Sequence, residues 1–251
     1  MRNNPKVSIV TAVLNGVATI EGCIKSVAGQ NYPNLEHIIV DGGSKDGTID
    51  VIKRNNKRIA HWITEPDNGV YDAMNKGINA ATGDIVGTLN SDDIFTDECA
   101  LARAINAICD QHVDSCYADL VYVDRADTSR IVRIWRAGPY EKKKFRAGWM
   151  PPHPTFFVKR WVYEKYDLLK LDFPLAADYE LMLRFLYKHE ISTTYIPEVL
   201  VKMREGGASR PGMYTVKSMV ENYRAWKVNG LSYPPTVLLK PFLKISQFLN
   251  Q

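Results

Sequence analysis

Two adjacent carboxylates, Asp92 and Asp93, follow an apolar run in Leu89-Asn90-Ser91-Asp92-Asp93. Neighbouring carboxylates repel one another unless a cation or hydrogen-bond donors compensate them. Hard divalent ions such as Mg²⁺ or Mn²⁺ prefer one or two carboxylates together with phosphate oxygens. The pair therefore suits a metal and diphosphate site, and the competing reading is that Ser91-Asp92 caps the next helix. A second polar turn, Asp41-Gly42-Gly43-Ser44-Lys45-Asp46-Gly47-Thr48, follows His37-Ile38-Ile39-Val40. Its glycines allow a tight turn and close backbone approach to a ligand, while Asp41 can accept hydrogen bonds from a nucleobase or ribose. The turn matches neither the dinucleotide fingerprint nor the P-loop of nucleoside triphosphatases, so both of those readings lose support. Asp46 as a helix N-cap is the structural alternative here.

The elements that must hold these turns are legible as alternating short apolar runs and amphipathic stretches. Residues 7–13 read as a strand, and Ile20, Ile24 and Val27 at helical spacing lie between Thr19, a candidate N-cap, and Gly29. Residues 37–40 form a second strand, 46–56 a helix with Ile49, Val51 and Ile52 inward, 59–64 a third strand, 71–81 a helix and 84–89 a fourth strand. Strand and helix in alternation, with short connections, predict a mostly parallel sheet wrapped by helices. Ligands of such sheets bind at the carboxyl ends of the strands, which is where the polar turns fall. A helix over 97–110, strands over 116–123 and 130–135, a loop-rich stretch over 136–175, a helix from Ala177 and a strand over 191–196 complete the reading.

Four segments stand together in order: Val7 to Asn15, the Asp41 to Thr48 turn, Glu65-Pro66-Asp67-Asn68-Gly69-Val70-Tyr71-Asp72-Ala73-Met74-Asn75-Lys76-Gly77, and Gly83-Asp84 through Asp93. Together they resemble the family 2 inverting glycosyltransferases, most closely the bacterial members that build polysaccharide and O-antigen (lipopolysaccharide) units. The likeness is most specific over residues 5–95 and extends more loosely to about 210. It implies an α/β protein of GT-A fold, with a mostly parallel, Rossmann-like sheet flanked by helices and a more irregular acceptor-binding C-terminal half. The expected organisation is one domain over 1–230, with a nucleotide-sugar half (1–95) and an acceptor half (96–230), then an amphipathic segment over 231–251.

By the same resemblance, Thr11, Ala12 and Asn15 line the nucleotide pocket and Asp41 contacts the base. Asp67, Asp72 and Lys76 border nucleotide and sugar. Asp93 is the metal ligand, for Mn²⁺ or Mg²⁺, with Asp92 nearer ribose or sugar. This chain has an adjacent Asp pair after Asn90-Ser91 where a literal Asp-x-Asp would stand, which leaves the division of labour between the two open. Asp178, in Ala176-Ala177-Asp178-Tyr179-Glu180, falls at the family's catalytic carboxylate, where an inverting transfer needs a base for the acceptor hydroxyl. Glu180 competes for that role, although on a helix the two project about 200° apart, so one cleft holds only one of them. Helix capping is the alternative for Asp178. His153, in Pro151-Pro152-His153-Pro154, matches a histidine that orients acceptor or catalytic centre, or else serves the Pro-rich turn. Arg204-Glu205-Gly206-Gly207-Ala208-Ser209-Arg210 resembles a flexible loop whose basic residues, Arg204 and Arg210, close over the diphosphate.

Composition sets the outer bounds. With 251 residues, 45% of them apolar, the chain can bury a substantial core, and a net charge of +4 is too mild for a nucleic-acid coat. The charge is unevenly spread: residues 1–129 carry 11 basic and 18 acidic side chains, whereas 130–170 carry 11 and 3. Cys23, Cys99, Cys109 and Cys116 form no CxxC pair, which predicts buried, reduced thiols in a cytoplasmic protein. The basic run Lys142-Lys143-Lys144-Phe145-Arg146 and the apolar, lysine-punctuated 234–249 segment suit contact with a diphosphate or the inner face of the cell membrane. The expected partners are a nucleoside diphosphate sugar, with UDP favoured, and a saccharide acceptor linked to a polyprenyl diphosphate, with no nucleic acid. The rivals are a sugar-nucleotide pyrophosphorylase, which would need a basic Gly-rich loop where Asn15-Gly16-Val17 stands, and a catalytically silent membrane- or nucleic-acid-binding module of the same fold. Retention of Asp41, Asp92, Asp93 and Asp178 argues against the silent module.

Overall fold

The computed structural model describes residues 4–206 and 216–232. Strand β1 (Val7–Val13) is buried along its whole length because it runs at the centre of a sheet covered on both faces. It pairs in parallel with β2 (Leu35–Asp41) and β4 (Ile85–Thr88), and β2 pairs in parallel with β3 (His61–Thr64). Helix α1 (Ile20–Ala28) buries Ile20, Cys23, Ile24 and Val27. Helix α3 (Val70–Ala80) buries Ala73, Met74, Gly77 and Ile78. A Cβ at Gly77 would lie 2.3 Å from Val10 Cγ1, so only glycine lets α3 settle this closely on β1.

The second half extends the same sheet in a different sense. Its order is β3-β2-β1-β4-β8-β6-β9-β5, with β7 on β6, where β5 is Ile94–Phe95, β6 Ser115–Val123, β7 Ile131–Trp135, β8 Phe157–Lys159 and β9 Thr193–Arg204. Strand β8 is antiparallel to both β4 and β6, so the parallel half gives way to mixed pairing there. The remaining helices are α2 (Thr48–Arg54), α4 (Ala100–Asp110), α5 (Lys142–Arg146), α6 (Arg160–Tyr166), α7 (Ala177–Met182), which continues into a π-helical turn over Leu183–Lys188, and α8 (Val216–Val228). One core lies on the α3 and α7 face of the sheet, a second between the sheet and α1 with α4, and a smaller one under α2.

Several sequence expectations change. The stretch over 136–175 is not merely loop, since it holds α5, β8 and α6. Helix α2 begins at Thr48, and Asp46 lies outside it, accepting hydrogen bonds from the Thr48 amide (3.0 Å) and hydroxyl (2.5 Å). Ile49 is only half-buried, and Thr48 takes its inward place. The last strand runs to Arg204 rather than ending at Ile196. Cys23 and Cys116 are buried and free as expected, whereas Cys99 and Cys109 are half-exposed.

Candidate active site

At the ends of β1 and β2 two loops are laced together. The Gly42 amide donates to the Val13 carbonyl, the Asn15 amide to Ser44 Oγ (2.7 Å), the Lys45 amide to Asn15 Oδ1 (3.0 Å) and the Gly16 amide to Thr48 Oγ1 (2.9 Å). Asn15 has φ 52°, a left-handed conformation that asparagine tolerates better than most residues, and its side chain is exposed at the loop. Asp41 is fully buried. Its Oδ2 accepts from the Gly43 and Ser44 amides (3.0 and 3.1 Å) and from the Thr64 hydroxyl (2.6 Å), while Oδ1 has no hydrogen-bond partner among the described residues. A Cβ at Gly42 would sit 2.2 Å from Asp67 Oδ2, so glycine is what lets the loop after β3 close over this turn.

That loop is braced from within. Asp67 accepts from the Gly69 amide, Asp72 from the Asn68 amide, and Lys76 reaches Glu65 (2.8 Å), Asp72 (3.6 Å) and the Pro66 carbonyl. Ala12 is buried against the core under α3. Thr11, one residue away on the opposite side of the strand, is fully buried, and its hydroxyl bonds His37 Nε2 (3.0 Å) and Cys23 Sγ (3.6 Å). The Thr11 side chain is thus turned into the fold, towards His37 and Cys23.

The Asn90–Asp93 turn joins β4 to β5 and is closed by the Asp93 amide donating to the Asn90 carbonyl. It caps no helix: α4 starts only at Ala100, where Asp97 accepts the Cys99 amide instead. Asp93 is 1% exposed. Asn90 Nδ2 donates to its Oδ2 (2.8 Å), and its Oδ1 is buried with no hydrogen-bond partner among the described residues. Burial, and then the charge of Asp92, push the Asp93 carboxyl well above the usual carboxylate range. Asp92 is only half-buried, so of the two carboxylates Asp92 is the more accessible and Asp93 the enclosed one. Arg204 stands beside this turn: its guanidinium donates to the Asp92 carbonyl (2.5 Å) and lies against Gly22. Among the described residues no cluster of three or more His, Cys, Asp or Glu side chains could hold a metal. The chain offers two carboxylates, one with an unpartnered buried oxygen, and that donor set fits a hard cation whose remaining ligands come from a diphosphate.

The catalytic candidates meet on the α3 and α7 face of the sheet. Asp178 lies in the first turn of α7, past the N-cap position of Ala176, and is half-buried. Its Oδ1 accepts from the Tyr71 hydroxyl (3.3 Å) and from the Tyr179 amide (2.8 Å). His153, in a short 3-10 turn before β8, shares a hydrogen bond of 3.4 Å between Nε2 and the hydroxyl of Thr88, the last residue of β4. Burial lowers the His153 pKa, and the nearby Asp178 charge opposes that shift. Glu180 is fully buried and paired with Arg184 (2.8 Å), which removes it as a competing base.

These residues lie where the four sequence segments converge, at the carboxyl ends of β1, β2 and β4. The sequence profile of glycosyl transferase family 2 matches residues 8–167. The chain belongs to that family. A glycosyltransferase of Mycobacterium tuberculosis, itself uncharacterized, is 34% identical over 186 residues, 73% of this chain and 70% of the relative. A PGL/p-HBAD biosynthesis glycosyltransferase of Mycobacterium bovis is 31% identical over 208 residues, 81% of this chain and 78% of the relative.

Among solved structures, TarS 1–349 of S. aureus in complex with UDP-GlcNAc aligns with a TM-score of 0.71 and 16% identity, covering 89% of this chain and 65% of that one. The mannosyltransferase PcManGT of Pyrobaculum calidifontis, in complex with GDP-Man and Mn²⁺, aligns with a TM-score of 0.68 and 19% identity, covering 99% of this chain and 70% of that one. At these identities the likeness is one of fold, and this family 2 glycosyltransferase spans slightly less than two thirds of the staphylococcal 1–349 chain. Its fold is of the GT-A type.

In this glycosyltransferase, Arg210 and the 233–251 segment lie outside the described residues. The lysines of the 142–146 run are already engaged: Lys142 with Glu190 and the Tyr187 ring, Lys143 with Glu141, and Lys144 with Glu141 and the Trp149 ring. The run is therefore no bare basic patch. Among the described residues no helix is long and apolar enough to cross a membrane. A groove of about 500 Å³ lined by Ile78, Arg160 and Glu164 lies near the C-terminal end of α3, at the other end of the strands from the catalytic cluster. Sequence reasoning passed over Tyr71, Thr64, Ser44 and Thr88. Tyr71 stood within a quoted segment, and the signal for it was its place in the first helical turn, beside Asp72.

Proposed function

We propose that this glycosyltransferase moves a hexose from a nucleoside diphosphate, UDP in the first instance, to a saccharide hydroxyl by a single inverting displacement. The observation that carries the reading is the cluster Asp178, Tyr71, His153 and Thr88, which joins a half-exposed carboxylate to the strand that ends in the Asn90–Asp93 turn. Asp178 Oδ1 is taken by two donors, and Oδ2 takes neither bond, so Oδ2 receives the proton of the acceptor hydroxyl as its oxygen attacks the anomeric carbon. The unpartnered Oδ1 of buried Asp41 suits a base N–H, and the turn amides stand beside it. Asp92 and Asp93 would hold Mn²⁺ or Mg²⁺, with the more exposed Asp92 nearer the diphosphate. When bound, the cation offsets the negative charge that develops on the departing nucleoside diphosphate. Titration with UDP and with GDP, each with and without Mn²⁺, should show metal-dependent binding with UDP preferred.

Asp178→Asn should lower turnover by about 10²- to 10⁴-fold and leave donor binding intact. Wild-type turnover by that variant would overturn the assignment of the base. For the acceptor, we infer a sugar carried on a polyprenyl diphosphate at the inner membrane surface. The apolar, lysine-bearing 234–249 sequence supports that reading.

A further inference from the structure

Tyr71 is the second residue of α3, and its partly buried ring lies against the core that also receives α7. Its hydroxyl spans 107 positions of sequence to donate to Asp178 Oδ1. Asp178 receives a second bond on the same oxygen from the Tyr179 amide, and the Tyr179 hydroxyl in turn accepts from Trp226 Nε1 of α8 (2.9 Å). The carboxylate is thus gripped on one oxygen by a rigid helix on the donor side and by its own anchored helix. A carboxylate rotates readily about its last bond, so a proton acceptor that must meet a hydroxyl along one direction gains from having that rotation stopped.

We propose that Tyr71 is a positioning residue, fixing Asp178 through Oδ1 so that Oδ2 is presented to the acceptor. This rests on the reading of Asp178 as the base. Burial and the Asp178 charge hold the Tyr71 phenol well above its ordinary pKa, so it remains a donor throughout the working range. The groups facing this contact from the elements packed around it are His153 before β8, which senses the Asp178 charge, and Glu221 of α8, which senses Tyr71.

The test is steady-state kinetics of Tyr71→Phe beside Asp178→Asn and the double variant, with thermal unfolding to show that each is folded. Tyr71→Phe keeps the ring and loses only the hydroxyl. Its kcat should fall about tenfold with donor KM unchanged. The double variant should be no slower than Asp178→Asn alone. If Asp178→Asn is inactive while Tyr71→Phe keeps the wild-type kcat, the positioning role is wrong and the base stands. If Asp178→Asn is active, the reading beneath both is wrong. An equal loss from Tyr71→Phe in the presence and absence of the Asp178 carboxylate would assign Tyr71 a role apart from Asp178 and overturn the proposal.

Discussion

His37 stands on β2 four residues before Asp41, and its neighbourhood shows how side-chain direction decides a role. Its ring is buried, Nε2 bonds the Thr11 hydroxyl, and Nδ1 has no hydrogen-bond partner among the described residues. Burial lowers its pKa from 6.5 to about 3. A base whose folded pKa is depressed contributes stability that is fully present above its unfolded pKa and is lost as pH falls towards the folded value. Between pH 7 and pH 5, His37 alone should cost the fold about 2 kcal/mol. The carboxylates Glu36 and Asp97, each held down to about 2, begin to lose their contributions only below about pH 4.5 and 3.8. Urea unfolding at pH 7 and pH 5 should therefore show a smaller pH dependence for His37→Gln than for the wild type, and equal dependence would remove His37 from the account. The same alternation explains what was illegible at this scale. The sequence marks a strand end as a ligand site, but Thr11 and Ala12 face opposite sides of β1, and only the paired register shows which of them turns towards His37. Asp92 and Asp93 pose the same problem, since adjacency in sequence does not say which carboxylate is enclosed.

Helix α7 is short for the task of holding a base, and what fixes it lies in its buried face. Arg184 donates to both oxygens of Glu180 and to the carbonyls of Tyr166, Asp167 and Leu168, and Asn229, just past α8, donates to Glu180 (2.9 Å). Removing one partner of a buried pair leaves the other charge uncompensated, and here it also strips donors from three carbonyls. Arg184→Met should cost about 3–5 kcal/mol in urea unfolding, and the double replacement Arg184→Met with Glu180→Met should recover part of it. A single-variant loss below about 1 kcal/mol would show that the clamp does not hold α7. Elements such as α1 and α3 were legible because a run of apolar residues at helical spacing faces one core. Strand β8, three residues long, carries too little pattern to announce itself, and its place between β4 and β6 is set by antiparallel pairing with both. Helix α8 was equally silent, since its buried Trp226, and Asn229 just past its end, sit among charged residues and find their partners on α7.

Across the whole molecule, one sheet carries β3, β2 and β1 at one end and the later strands β6, β7, β8 and β9 beyond β4, so the cluster of Asp178, Tyr71, His153 and Thr88 forms where parallel pairing gives way to mixed pairing. The first half was readable because each of its turns follows a strand of the parallel set. The second was not, because its strands pair out of sequence order. The charge asymmetry also reads differently once the ion pairs are known. The 142–146 lysines are spent on Glu141, Glu190 and aromatic rings, which leaves the surplus over 200–251, with 8 basic and 2 acidic residues, as the stronger candidate for an anionic surface. Helix α8 leads towards that end with Val220, Tyr223 and Val228 exposed. The following sequence places Lys240 and Lys244 among leucine, isoleucine and phenylalanine. Apolar burial together with a few lysines gives reversible, salt-sensitive attachment to anionic lipid. The full chain should therefore sediment with vesicles of phosphatidylglycerol and phosphatidylcholine, and release as salt rises. A chain ending at Ser232 should stay in solution while retaining its unfolding midpoint and its metal-dependent UDP binding. If the shortened chain sediments equally well, attachment belongs to the globular part and the C-terminal segment has no part in it.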